Sequence, residues 1–68
     1  MCESKVYLAT DEGERLVLDD VTSIRPEQDG YRLINLFGER VHVRGRIKDI
    51  DLLNHRIVME PAEAPASE

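Results

Sequence analysis

Residues 40–47 read RVHVRGRI, and apolar and polar positions alternate there without a break. Val41, Val43, Gly45 and Ile47 fall on one side of an extended chain; Arg40, His42, Arg44 and Arg46 fall on the other. A period of two belongs to a strand with one buried and one wet face. A helix repeats its apolar positions at three- and four-residue steps, and that spacing hardly occurs in this chain. The fold class is therefore all-β.

Turn signals divide the sequence into short strands. KVYLAT places Val6 and Leu8 on one face and ends at the turn Asp11 to Gly13. ERLVLDD places Leu16 and Leu18 together, and VTSIRPE is a third strand ended by Pro26. Asp29-Gly30 suits a type I′ hairpin turn, which needs positive φ. YRLINLF follows, with Phe37 expected to be buried or packed into the turn at Gly38. Gly45, inside the most regular strand, suggests a bulge or bend that curves the sheet. KDIDL and RIVME close the pattern, joined by a turn that holds Asn54 and His55.

This spacing predicts a small SH3-like β barrel of about six short antiparallel strands. It forms one domain over residues 1–60, followed by a disordered acidic tail over 61–68 that is rich in Pro, Ala and Glu. The expected core is Val6, Leu8, Leu16, Leu18, Val21, Ile24, Leu33, Val41, Val43, Ile47, Ile50, Leu52, Ile57 and Met59.

Length sets the next constraint. A chain of 68 residues buries only about 60% of its unfolded surface. Domains of this size are commonly stapled by disulfides, a metal or a partner subunit. The single cysteine excludes an intrachain disulfide, leaving a metal, self-association or both.

Charge and motifs narrow the function. Nine Lys and Arg stand against fourteen Asp and Glu, a net charge of −5, which on average repels phosphate backbones. No apolar run approaches the roughly 20 residues of a membrane helix, and no secretory signal is present. A free thiol fits the reducing cytoplasm. There is no phosphate-cradling loop, no thiol pair, and no hydroxyl in a nucleophile context, so an enzyme is not expected.

The one cysteine is Cys2, followed by Glu3, Ser4 and Lys5. One reading is an inert thiol at a chain end. The other is a metal ligand, because a thiolate and a nitrogen of the same residue close a five-membered chelate ring. One arm supplies only two donors. In a two-fold homodimer a residue on the axis meets its own copy, and two Cys2 arms supply two sulfurs and two nitrogens. Such a donor set favours square-planar Ni(II) or Cu(II), whereas zinc prefers a tetrahedron. If Met1 is removed, the terminal amine can be the nitrogen donor; if it is retained, the backbone amide of Cys2 takes that place.

Other candidates have plainer readings. His42 lies between Arg40 and Arg44, where cationic neighbours oppose a bound cation. His55 reads as a turn residue, with an auxiliary ligand role as its alternative. Glu3 could approach a metal or simply be a solvated charge. The basic stretch Arg40–Lys48 is what an RNA-binding barrel would use, but stacking aromatics are scarce: Tyr7, Tyr31 and Phe37. Its alternative is an outer strand paired with acids such as Glu39 and Asp49.

Taken in order, MCESKVYL, LVLDDV, LFGER and RIKDIDLLNHRIVME resemble the CooT family of small nickel-binding proteins, from Met1 to about Glu60. The resemblance implies an SH3-like barrel that forms a homodimer. It also implies Ni(II) held by the cysteine after the initiator, here Cys2, shared across the dimer. The implied role is nickel delivery to a nickel-enzyme acceptor such as carbon monoxide dehydrogenase. His55 is not carried over as a ligand.

Overall fold

A computed structural model describes residues 3–62. They form five strands: β1 (Ser4–Thr10), β2 (Gly13–Glu27), β3 (Gly30–Asn35), β4 (Arg40–Asp51) and β5 (Arg56–Pro61). The strands close into a barrel in the order β1-β2-β3-β4-β5. No helix among the described residues is long and apolar enough to cross a membrane.

The small barrel forms as expected, from five strands in place of about six. The difference has a physical cause. β2 runs through what reads as a boundary at Asp19-Asp20, and β4 joins RVHVRGRI to KDIDL. Each long strand serves two neighbours in turn. β2 pairs with β1 as far as Val21 and with β3 from Val21 to Glu27. β4 pairs with β3 through Arg44 and with β5 from Gly45 onward.

An odd number of strands joined as a meander leaves the first and last running the same way. The closing pair, β1 with β5, is therefore parallel, while the other four pairs are antiparallel. Pro26, expected to end a strand, stays inside β2 opposite Tyr31. That half of β2 has a strand on one side only, so the missing N–H breaks no ladder.

Two glycines mark close backbone approaches. A Cβ on Gly45 would lie 2.1 Å from the Glu60 carbonyl oxygen, at the point where β4 changes partner. The curvature expected at Gly45 is this change of partner; the register shift between β4 and β5 falls at Ile47/Asp49. A Cβ on Gly30 would lie 1.9 Å from the Val43 carbonyl oxygen. Gly30 does not have positive φ, nor do Gln28 and Asp29. The β2–β3 turn is thus not of type I′, and its glycine is required by proximity to β4.

The interior is built from Val6, Val21, Leu33, Val43, Ile57 and Met59. Leu8, Val17, Leu18, Ile24, Tyr31, Val41 and Ile47 pack against them. Three expected core residues are exposed. Leu16 is displaced by a bulge: Val6 faces Leu18 but Tyr7 faces Leu16, so Val17 is the extra residue and the alternation reverses. Leu16 thereby joins Tyr7 and the buried Val58 in a cross-strand row on the outer face. Ile50 lies in the part of β4 that has only β5 beside it, and Leu52 belongs to the β4–β5 turn. Val58, unforeseen, is buried.

At the other terminus β5 continues to Pro61, and the Ala62 amide donates to the Arg44 carbonyl at 3.1 Å. The folded part therefore passes the expected boundary at Glu60. The rest of the expected tail, residues 63–68, lies outside the described residues.

Candidate metal centre

Cys2, on which the sequence-based metal site rests, lies outside the described residues. The structure does describe the start of β1, which follows Cys2 by two residues. β1 starts at Ser4, opposite Val21 of β2. Val21 in turn faces Asn35, the last residue of β3. On the other flank the Lys5 amide donates to the His55 carbonyl at 3.0 Å. The start of β1 thus sits at the barrel end formed by the β2 bend, the β3–β4 loop and the β4–β5 turn. Glu3 is half-buried there.

The β2 bend is made by Asp20, whose φ of 55° is left-handed, a region that Asp tolerates better than most residues. The Asp20 amide donates to its neighbour's Asp19 Oδ1 at 2.8 Å, and Lys5 Nζ lies 3.0 Å from the same oxygen. The hydrogen bond from Lys5, with help from the Asp20 N–H, holds the Asp19 carboxyl below its usual range. The same bond raises the Lys5 ammonium. Both side chains are solvent-exposed, so this pair orients the start of β1 more than it stabilises it.

The β3–β4 loop is organised by Asn35, the one buried polar side chain among the described residues, 5% exposed. Its Oδ1 accepts from the Phe37 and Glu39 amides at 3.0 and 2.8 Å, and its Nδ2 donates to Glu39 Oε1 at 2.6 Å. The Asn35 amide donates to the Glu39 carbonyl and the Gly38 amide donates to the Asn35 carbonyl, both at 3.0 Å. Gly38 completes the turn with φ of 83°. The Leu36 amide donates to the Asp20 carbonyl at 2.9 Å, tying the loop to the bend. This framework displays Leu36 and leaves Phe37 73% exposed, where packing was expected.

The β4–β5 turn is built in a similar manner. Asp51 accepts from the side chain and amide of Asn54 at 2.8 and 3.1 Å, which lowers its carboxyl pKa. His55 takes φ of 56° and offers its carbonyl to Lys5, so it does serve the turn. Leu52 and Leu53 stand out from this turn, Leu53 87% exposed. Two internally hydrogen-bonded loops at this end thus present four large apolar side chains to solvent. Sequence alternation does not show them, because they follow the strands; the signal is the turn chemistry of Asn35 with Gly38 and of Asp51 with Asn54.

His42 and the basic stretch are placed elsewhere. His42 Nε2 lies 3.1 Å from Asp29 and 3.4 Å from Glu27, two acids that also pair with Arg44 and Arg32. Arg46 pairs with Glu60 at 3.2 Å. The basic stretch is therefore met by acids, but by Glu27, Asp29 and Glu60, since Glu39 is turned to Asn35. Tyr7 lies beneath the Arg56 guanidinium at 4.5 Å, and Tyr31 packs on the core. Neither forms a stacking platform beside Arg44 and Arg46. Among the described residues no group of three or more His, Cys, Asp and Glu could hold a metal ion.

These features define a small all-β barrel with exposed apolar side chains on the loops at the end where β1 starts. The chain belongs to the CooT family: the family model described as CO dehydrogenase accessory protein CooT matches residues 1–60, a span that includes Cys2. An uncharacterized protein of Methanothermobacter thermautotrophicus is 37% identical over 60 residues, covering 88% of this chain and 89% of the relative. A crystal structure assigned to CooT of Carboxydothermus hydrogenoformans has 32% sequence identity and a TM-score of 0.84, over 91% of this chain and 100% of that one.

Proposed function

We propose that two copies of the chain hold one Ni(II) ion between their Cys2 thiolates and pass it to a nickel enzyme of the carbon monoxide dehydrogenase kind. Membership of a family of CO dehydrogenase accessory proteins supports the delivery role. The observation that carries the shared site is where β1 begins: Ser4 opens from the barrel end ringed by Leu36, Phe37, Leu52 and Leu53. Exposed apolar side chains gathered in this way are covered most simply by a partner surface. A second copy seated there across a two-fold axis puts both leading ends at the interface. Covalent geometry keeps the Cα of Cys2 within about 8 Å of that of Ser4, so the axis need not pass far from the strand start.

The donor chemistry suits the cargo. Two thiolates with backbone or terminal nitrogens form a strong-field set that Ni(II) accepts in a plane and zinc does not favour. A site at a chain end is open to an incoming ligand, and an acceptor can replace one donor at a time. The barrel contributes rigidity, through the Lys5–Asp19 and Lys5–His55 ties at the root of the arm.

Nickel titration of the parent and of Cys2→Ser, followed by sulfur-to-metal charge-transfer absorption, tests this reading. The parent should bind one ion per two chains and the variant none. Equal binding by both proteins would place the site elsewhere.

A further inference from the structure

The barrel is closed, yet one stretch of β2 has a neighbour on one side only. From Gly13 to Val21 this strand pairs with β1, and β3 does not join it before Val21. Outside the strand ladders, among the described residues, the second edge of 14–20 makes a single backbone hydrogen bond, at its far end, from the Leu36 amide to the Asp20 carbonyl. Glu14, Arg15 and Leu16 are exposed and Val17 to Asp20 half-buried. An unpaired edge is a template for another strand, and natural proteins usually blunt it with lysines, prolines or short length. This one has a bulge at Val17 and charges at both ends, but it carries Leu16-Val17-Leu18 at its centre and neither lysine nor proline between Gly13 and Asp20.

We infer that the free edge of β2, Glu14 to Asp20, accepts an extended basic segment of another protein as an added strand. Main-chain hydrogen bonds would supply binding. Leu16, on the outer face beside Tyr7 and Val58, would give the added strand an apolar neighbour on that face. Charge selects the occupant. Asp11, Glu12, Glu14, Asp19 and Asp20 surround the edge, against Arg15 alone. Arg56 meets Glu14 and Lys5 meets Asp19, but acids still outnumber bases.

A second copy fits less well. Its own β2 would bring the same acids to the seam, where like charges opposite each other are unfavourable. The other one-sided stretch, Gly45–Asp51 of β4, carries Arg46 and Lys48 balanced by Asp49 and Asp51, with Arg46 already on Glu60. Alternating Lys and Val in a partner segment satisfies both the apolar centre and the acidic rim. The added strand would use the backbone of β2 and none of the Cys2 donors, so this binding does not depend on nickel.

The test uses the full ¹⁵N-labelled chain with two synthetic peptides, Lys-Val-Lys-Val-Lys-Val-Lys and the same sequence with Glu for Lys. Amides of 14–20 that exchange quickly in the free protein should slow about tenfold when the basic peptide is present at ten times its Kd. The protection should weaken as salt is raised, should persist in Cys2→Ser, and should fall in a doubly substituted Asp11→Lys, Glu12→Lys chain. The acidic peptide should give none. Equal protection by both peptides, protection centred on β4 or on the Phe37 loop, no protection at all, or protection that grows with protein concentration alone would each overturn the proposal, the last by making a second copy the occupant.

Discussion

Val6 of β1 stands opposite Ile57 of β5 in parallel register, and both side chains are buried. That pair closes the barrel, because it joins the first strand to the last over a sequence separation that no turn can assist. It also fixes the start of β1, two residues after Cys2 in the sequence. The interior that supports this closure is small, so single truncations in it should be felt. Leu33 and Met59 are fully buried. Leu33→Ala should cost about 2–5 kcal/mol, a large share of the roughly 5–15 kcal/mol that holds a domain. Gln28→Ala, at an exposed turn away from the apolar rim, should stay within about 0.5 kcal/mol. Urea unfolding of the two variants checks the contrast.

Gly45 and Gly30 should tolerate no side chain. The atoms that an added Cβ would meet are backbone carbonyl oxygens of Glu60 and Val43, which cannot move without parting β4 from a neighbour. Gly45→Ala and Gly30→Ala should each lose the dispersed amide spectrum of the parent or melt far below it. Gly13→Ala is the control. It has open space and φ of 113°, so only backbone strain of order 1–3 kcal/mol is expected.

These residues also show how much of the architecture could be read in advance. Val6, Val21, Leu33, Val43, Ile57 and Met59 follow from alternation alone, because a buried strand face repeats every second residue. Leu16 does not, since a bulge at Val17 reverses the faces and nothing local announces it. The fused strands escape for a related reason: ERLVLDD and VTSIRPE read as two strands that meet after Asp20, and only the pairing with β1 and then β3 makes that junction a bend. Of the site, Cys2 stands out by its isolation in the sequence. The apolar rim does not, because Phe37 and Leu52 read as buried or packed residues until Asn35 and Asp51 are seen to hold their loops open to solvent.

Asn35 supplies the third prediction. Asn35→Ala removes the acceptor for two amides and the donor to Glu39, and an unsatisfied buried group costs about 1–3 kcal/mol. Asn35→Asp keeps the acceptor but places a carboxyl against Glu39 Oε1. The aspartate variant should therefore be less stable at neutral pH than near pH 4, where one of the two carboxyls is protonated. Thermal melts at both pH values read the difference, and a pH-independent loss would count against this account of the loop.

The Lys5–Asp19 pair predicts a direction with pH. Asp19 is held below its ordinary pKa of 3.8, first by the Lys5 hydrogen bond and then by the Asp20 amide. A group with a depressed folded pKa contributes stability above its unfolded value, and that contribution disappears as pH falls through the folded one. Both groups are exposed, so the effect on unfolding should be small and weakened by salt. The NMR titration of the Asp19 carboxyl is the sensitive readout: it should move upward in Lys5→Met. An unchanged midpoint would show that Lys5 does not hold it.

The apolar rim yields the prediction that separates the metal from the dimer. If Leu36, Phe37, Leu52 and Leu53 form the face between two copies, a charge placed there must be desolvated on association without a partner to meet it. Phe37→Glu and Leu53→Glu should therefore shift the protein from dimer to monomer in light scattering, with the amide spectrum still dispersed because both side chains are exposed. Nickel affinity should fall in step, since one arm offers only half of the donor set. Cys2→Ser should do the reverse, abolishing nickel binding while leaving the apo dimer intact. A charged rim that still dimerises would move the interface to another face of the barrel, and a monomer that keeps the parent's nickel affinity would show that a single arm suffices.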